Sequence, residues 1–164
     1  MSLPPRVVAL DADVISNFHK AGKLRWLLEL AMATFVVTAE VLREIELWPG
    51  EGKAASAILR EAIELGMIQR AFLESQEFVL YINLRERLGS GEAASITIAI
   101  RRGYAVTTDD RAARKLCRRR NPPVETYRTE DLLQQAIATG HCSRDEAERI
   151  WKRMNIADPR RGVV

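Results

Sequence analysis

Residues 7–13, VVALDAD, decide the fold that we predict for this chain. Four consecutive apolar residues indicate a strand that is buried on both faces, and two carboxylates follow where the strand ends. A second apolar run, residues 105–107, is followed closely by Asp109 and Asp110. Because ligands of open α/β sheets bind at the carboxyl ends of the strands, we expect both acidic pairs to lie at one site.

Strand-like and helix-like segments alternate along the rest of the chain, which favours an α/β fold with a parallel sheet. The apolar pattern predicts strands at 6–10, 34–37 and 104–108, with edge strands at 67–73 and 124–126. It predicts helices at 14–31 with a break near Gly22, from a Thr38 cap to 48, and at 52–65, 74–88, 92–102, 110–120, 129–140 and 143–154. Thr129 and Ser143 are the expected N-caps of the last two helices.

No composition shift or linker divides the chain, so we expect a single domain over residues 1–164. Its acidic core would span about 6–128 and a C-terminal helical pair about 129–156, with a frayed tail at 157–164. At 47% hydrophobic residues the chain can bury a real core. It lacks both an apolar run of about 20 residues and an apolar signal-peptide core, so we expect a cytoplasmic location without membrane insertion.

The chain carries a local excess of positive charge. Lys and Arg number 25 against 22 Asp and Glu, and six of the basic residues lie in 111–120, RAARKLCRRR, a segment without any acid. A basic patch beside an acidic pocket suits a nuclease, because the patch binds the phosphate backbone near the reacting phosphate. A solvated helix face that only carries charge is the alternative.

The first acidic residues are candidate ligands of a hard divalent cation such as Mg²⁺ or Mn²⁺, since neither histidine nor cysteine accompanies them. Asp11 directly follows the first strand, and Asp13 is close enough to share the ion or a water bound to it. Asp13 could instead cap the following helix. Glu44 borders the apolar stripe of its own helix, so it could point toward the rim of the pocket.

The later acidic residues have structural alternatives too. Glu92 opens a helix, where the helix dipole favours any carboxylate, but it follows Gly-Ser-Gly, which permits close approach of the backbone. Asp109 and Asp110 leave a strand together, and Asp110 could cap the basic helix. Each alternative is reasonable alone, but the coincidence of all the acids favours a metal site.

These segments, in this order, resemble the PIN-domain nucleases, including the toxins of VapBC toxin–antitoxin pairs. The resemblance is carried by VVALDADVIS, VVTAEVLREI, GSGEAASITIAIRRG and VTTDDRAARKL, which together span most of residues 6–120. It implies a three-layer α/β/α fold with a central parallel sheet and a C-terminal helical pair. Glu92, where Asp is more usual, and its GEA motif are similar to one branch of the family, and Thr-x-Asp spacing favours Asp110 over Asp109.

The resemblance further implies an endoribonuclease that depends on Mg²⁺ or Mn²⁺, plausibly a toxin with a small antitoxin partner, and a homodimer. The implied catalytic metal ligands are Asp11, Glu44, Glu92 and Asp110, with Asp13 and Asp109 as further metal-binding candidates. The implied nucleic-acid contacts are Thr108, Arg111, Arg114, Lys115 and Arg118.

Two other functions remain open from the sequence. A HAD-like phosphohydrolase would use Asp11 as a nucleophile and Asp13 as a general acid, but would leave Glu44, Glu92 and the basic helix without a role. A non-catalytic module could keep the fold and bind nucleic acid or protein without turnover.

Overall fold

A parallel sheet of five strands forms the centre of the computed structural model, which describes residues 6–163. The strands are β1 (Arg6–Ala9), β2 (Ala33–Thr38), β3 (Gln69–Ala71), β4 (Ala105–Thr107) and β5 (Thr126–Tyr127). Their order across the sheet is β3-β2-β1-β4-β5, and all neighbours are parallel. The predicted α/β class and central parallel sheet are confirmed.

Nine α-helices connect and flank the strands within residues 6–163. They are α1 (Ala12–Lys20), α2 (Leu24–Glu29), α3 (Ala39–Glu46), α4 (Gly52–Glu64), α5 (Phe78–Arg85), α6 (Ser90–Arg102), α7 (Arg111–Arg119), α8 (Thr129–Ala138) and α9 (Arg144–Met154). A short 3-10 helix, Ser75–Glu77, precedes α5. The helices lie on both faces of the sheet, which makes the three layers.

Alternate residues of the central strands supply the two halves of the core. Val8 and Leu10 of the first strand segment face one cluster, which also contains the buried side chains of α1, α2, α3, α4, α8 and α9. Ala9 faces the opposite cluster, together with Val36 and buried residues of α5, α6 and α7. This period of two explains why β1 and β2 read as continuous apolar runs, because both faces of each strand are covered.

Parallel strand direction brings several chain segments to one edge of the sheet. β1, β2 and β4 all end there, and α1, α3 and α7 begin shortly afterwards. Helix α6 precedes β4 and returns toward the opposite edge, so the N-terminus of α6 also lies at this end. The edge therefore collects the segments that contain the predicted acidic residues.

The structure corrects several predicted boundaries. Asp11, not Asp13, caps α1, which begins at Ala12. The segment 74–88 is divided into a 3-10 helix and α5, and the edge strands have only three and two residues. Thr129 is the first residue of α8 and not its N-cap, which is Arg128. The caps predicted at Thr38 and Ser143 are confirmed.

The C-terminal tail also differs from the prediction that it is frayed. Ile156 and Val163 pack against the larger core cluster. The Arg161 guanidinium makes a bidentate ion pair with buried Glu130, at 2.7 and 3.0 Å, and lies over the ring of Trp151. Tertiary contacts thus order a segment that has no regular secondary structure.

No helix within residues 6–163 is long and apolar enough to cross a membrane. Residues 1–5, where the sequence shows no signal-peptide core, and residue 164, the last of the predicted frayed tail, lie outside the described residues.

Candidate functional site

Asp11 lies at the centre of the carboxyl edge of the sheet and is only 4% exposed. Its Oδ1 accepts a hydrogen bond of 2.7 Å from the backbone N–H of Ala12, and its own N–H donates to Thr107 Oγ1 at 2.9 Å. Its Oδ2 is buried without a hydrogen-bond partner. A buried carboxylate oxygen that lacks a partner is costly, so this atom points to a ligand that would complete its coordination.

Burial raises the pKa of Asp11 well above its usual value, and the negative charges of Glu92, Asp13 and Glu44 raise it further. Only the hydrogen bond from Ala12 opposes this rise. The structure has therefore placed three further acids close enough to Asp11 to disfavour its ionisation. A cation at this edge of the sheet would relieve both the repulsion and the loss of hydration.

Glu44 reaches the site from α3 and is held by the N-terminus of α6. Its Oε1 accepts hydrogen bonds from the backbone N–H of Gly91 at 2.7 Å and from Ser90 Oγ at 3.0 Å. A Cβ at position 91 would lie 2.7 Å from Glu44 Oε2. Gly91 therefore permits a close approach by Glu44, whereas the sequence suggested an approach by backbone or substrate at this glycine.

Glu92 follows in the first turn of α6 and is fixed by Thr108. The Thr108 hydroxyl, itself fully buried, donates a hydrogen bond of 3.0 Å to Glu92 Oε2. Burial raises the pKa of Glu92, as do the charges of Asp110, Asp13 and Glu44, and the hydrogen bond from Thr108 partly offsets this. Thr108, which the resemblance implies as a nucleic-acid contact, thus donates its hydroxyl proton to a carboxylate of the site.

Asp109 and Asp110 have different surroundings. Asp109 Oδ1 accepts from the Thr129 N–H and pairs with Arg161, and Asp109 Oδ2 accepts from Asn17 Nδ2 and Thr129 Oγ1, all at 2.8 to 3.1 Å. Both of its oxygens are thus engaged in contacts that join α1, α8 and the tail.

Asp110 is exposed and keeps one oxygen free of protein hydrogen bonds among the described residues. Its Oδ1 caps α7 by accepting from the Ala113 N–H at 2.7 Å. The cap that the sequence allowed for Asp110 is therefore present, and it leaves Oδ2 available at the site. This arrangement favours Asp110 over Asp109 as the fourth acid.

Asp13 stands at the exposed mouth of the cluster. Partial loss of hydration raises its pKa, and Asp109, Glu44 and Asp110 raise it further. The six acids predicted from the sequence thus lie close enough together for their charges to interact. Asp11 forms its buried floor and Asp13 its rim.

The donor set fits a hard divalent cation, because it consists of carboxylate oxygens with one buried oxygen that lacks a partner. Within residues 6–163, however, no three acidic, histidine or cysteine side chains are arranged so that they could already hold one ion. Glu44 and Glu92 are turned toward their hydrogen-bond donors on α6 and just after β4. Binding of a shared ion would therefore require these side chains to move.

The basic helix α7 begins at the acidic cluster, because Asp110 is its N-cap. Arg111, Lys115 and Arg118 are exposed, whereas Arg114 is half-buried and donates to the Asp109 carbonyl at 2.6 Å. Of the four predicted nucleic-acid contacts on α7, three are free to meet a backbone, and Arg114 also braces the turn that carries Asp109.

Sequence reasoning did not identify several residues that position the acids. They are Asn17, Ser90, Thr107, Thr129 and Arg161. The Thr107-Thr108 pair at the end of a strand is a local signal that could have been used. Nothing local marks Arg161, since its partners Asp109 and Glu130 are distant in sequence.

A family model described as a PIN domain matches residues 7–160. The chain therefore belongs to the PIN-domain family. PIN domains are usually nucleases and generally use divalent metal ions, which agrees with the oxygen-only donor set at the carboxyl edge of the sheet. No curated protein matches the chain. Membership of this family favours a nuclease over the HAD-like phosphohydrolase.

Proposed function

We propose that this protein is an endoribonuclease that depends on Mg²⁺ or Mn²⁺. The observation that carries the proposal is the buried Oδ2 of Asp11, which lacks a hydrogen-bond partner and lies among acids whose charges raise the pKa of Asp11. Asp109, by contrast, has both oxygens engaged by protein donors.

Asp11, Glu44, Glu92 and Asp110 would hold the ion, and Asp13 at the rim would bind or orient water. A bound divalent ion supplies neutralisation of the scissile phosphate and a more acidic water for in-line attack. The protein's own part is positioning. Ser90 and Gly91 hold Glu44, and Thr108 holds Glu92, at the edge of the site, from which both carboxylates would turn to reach a shared ion.

A nucleic-acid substrate is supported by the charge distribution beside the acids, and RNA in particular is proposed from the resemblance. Arg111, Lys115 and Arg118 extend from the cluster along one face of α7 and can neutralise successive phosphates. This contact is independent of base identity, so it provides affinity and register without choosing a sequence.

The finer biological role is proposed from the resemblance to VapC-type toxins and to the branch with GEA at residues 91–93. In that role the protein would act in the cytoplasm as a toxin, and a small antitoxin would block the acidic site with a basic side chain. A complex that leaves cleavage intact would contradict this role.

A homodimer is proposed as well, and helix α5 offers an apolar surface for it. Val79 and Ile82 are 69% and 61% exposed, and Phe78 beside them is 45% exposed. Exposed apolar patches of this kind mark protein interaction sites. Light scattering of the native protein and of Val79→Glu would test the dimer, which the variant should dissociate.

The direct test of the enzyme is cleavage of a labelled structured RNA by purified protein with Mn²⁺, Mg²⁺ or EDTA. Asp11→Asn is the matched variant, because an Asn Oδ1 can still cap Ala12. Metal-dependent cleavage that the variant lacks would support the proposal. Release of phosphate from small phosphate esters without RNA cleavage would favour the phosphohydrolase, and RNA binding unaffected by EDTA without turnover would favour a binding module.

A further inference from the structure

An open groove of about 500 Å³ lies between α1 and the connection from α3 to α4. It is lined by Ser16, His19, Lys20, Trp48, Pro49 and Glu51. We call it the α1–α3 groove. None of these residues belongs to the acidic cluster.

The groove is built from the same two chain segments that supply Asp13 and Glu44 to the acidic cluster. On α1, Asp13 and Lys20 are seven residues apart, which places them on one face of the helix two turns apart. Trp48 follows Glu44 by four residues, in the turn that ends α3, where its N–H donates to the Ile45 carbonyl at 3.1 Å. Helix α1 thus contributes Asp13 to the site and Lys20 to the groove. Helix α3 contributes Glu44 to the site, and the turn after it contributes Trp48 to the groove.

Lys20 supplies a positive charge to this groove, two helical turns from Asp13 on α1. Lys20 itself is exposed. It is therefore placed to neutralise a phosphate that neighbours the one at the acids, without entering the acidic cluster.

The lining combines an aromatic face with polar edges. Trp48 is half-buried, packs on one side against the larger core cluster and presents its remaining surface to the groove. Pro49 extends this apolar wall. His19 Nε2 and Glu51 Oε2, joined at 2.9 Å, add hydrogen-bonding groups at the margin. An indole held by the core is a rigid platform, and stacking on such a platform accepts any base.

We propose that the α1–α3 groove is a nucleotide subsite in which Trp48 stacks on an unpaired RNA base next to the scissile phosphate and Lys20 neutralises the adjoining phosphate. The volume is within the range of small-molecule sites and suits a single nucleotide. This subsite rests on the proposed ribonuclease function for its substrate. It also makes single-stranded RNA the preferred form, because a paired base cannot leave its stack to enter the groove.

Binding and cleavage should be measured separately. Anisotropy of a short labelled single-stranded RNA in Mg²⁺ would report binding to Asp11→Asn protein, which the proposed function expects to be inactive. In that protein, Trp48→Leu should weaken binding about tenfold, since one base stack is worth roughly 1–3 kcal/mol. Trp48→Phe should stay within about threefold, because phenylalanine also stacks. Lys20→Ala should reduce the salt dependence of RNA binding by about the amount that one phosphate contact contributes.

Matched controls separate stacking from packing. Trp26 is a half-buried tryptophan that packs against the same core cluster outside the groove, so Trp26→Leu should leave binding unchanged. Lys152, exposed on α9, is the control for Lys20. Melting temperatures of all variants would show whether any loss of binding follows from loss of fold.

The outcomes distinguish this subsite from the proposed function. If Trp48→Leu binds RNA as tightly as its parent, the subsite is wrong and the groove serves packing or a protein partner, while the nuclease stands. If Trp48→Leu and Trp48→Phe lose the same amount of RNA affinity at an unchanged melting temperature, the proposal that Trp48 stacks on a base is also wrong. If the native protein never cleaves RNA but Trp48→Leu still loses binding, the subsite stands and the nuclease fails.

Discussion

Glu44 Oε1 on α3 lies 2.7 Å from the backbone nitrogen of Gly91 at the start of α6. This contact joins two segments that are 47 residues apart and sets the position of one acid of the site. It depends on the absence of a side chain at 91, because a Cβ there would lie within 2.7 to 3.1 Å of three carboxylate atoms of Glu44. The lack of a side chain at Gly91 therefore determines the position of the Glu44 carboxylate, a predicted metal ligand.

Gly91→Ala should reduce RNA cleavage by roughly 100-fold, the size of loss that a 1 Å misplacement of a catalytic group can cause. Stability should change little, since the flexible end of Glu44 can move away and alanine favours the helix. Kinetic assays and thermal melts would measure both effects. Gly89→Ala is the control, because its Cβ would meet Glu44 only at 3.8 Å. Full activity in Gly91→Ala would mean that the Glu44 position is not critical.

Asp109 and Asp110 should respond differently to substitution. Asp109→Ala removes four contacts to Asn17, Thr129 and Arg161, so it should lower the free energy of unfolding by about 3 kcal/mol. Asp110→Asn keeps an Oδ1 for the α7 cap and should retain the fold, but should lose cleavage by at least about tenfold. Urea unfolding and cleavage rates for both variants would test this. The reverse pattern would make Asp109 the functional acid.

Arg161→Ala should destabilise the protein by about 3 kcal/mol, because it leaves the buried Glu130 without its cation. Burial alone would raise the pKa of Glu130, but the hydrogen bonds from Arg161 hold that pKa below its usual value. Arg160→Ala is the matched control, since its partner Asp158 lies at the surface of the same tail and the free energy of unfolding should change little. Equal stability of the two variants in urea would show that the tail does not anchor the domain.

The sequence predicts the parts of this fold that depend on local pattern. The apolar runs of β1, β2 and β4 are buried on both faces, so they read as strands without help from distant residues. The N-cap at Thr38 likewise depends only on residues near it in the sequence. Because parallel strands end at one edge, the proximity of Asp11 to Asp110 follows from topology once these strands are recognised.

Features that depend on distant partners are not visible in the pattern. β5 has two residues and exists because β4 lies beside it, and Thr129 reads as a cap although its hydroxyl donates to Asp109. The tail reads as polar and turn-rich, yet Arg161 is held by Glu130 and Trp151. In each case a contact across the fold outweighs the local preference, as tertiary contacts often do.

Asp11→Asn should raise the melting temperature at neutral pH in EDTA. The folded-state pKa of Asp11 is above its unfolded value, so the folded protein binds the proton more tightly and stability falls as pH rises through that interval. The loss of stability that ionised Asp11 causes is absent below about pH 4, because the carboxyl is neutral in both the folded and the unfolded state there. The difference in melting temperature between Asp11→Asn and the native protein should therefore vanish at that pH. Thermal melts between pH 4 and pH 8 would show this convergence. Glu148→Gln, at an exposed position on α9, is the control substitution.

Added Mg²⁺ should make the native protein melt at a higher temperature than Asp11→Asn. An ion that binds only the folded native site raises its melting temperature by mass action, and the variant, which lacks one charge of that site, should gain much less. The same melts repeated with increasing Mg²⁺ would measure the difference. If Asp11→Asn melts below the native protein in EDTA at neutral pH, Asp11 serves the fold through its contacts with Ala12 and Thr107. Its buried Oδ2 would then not be the position of a metal ligand.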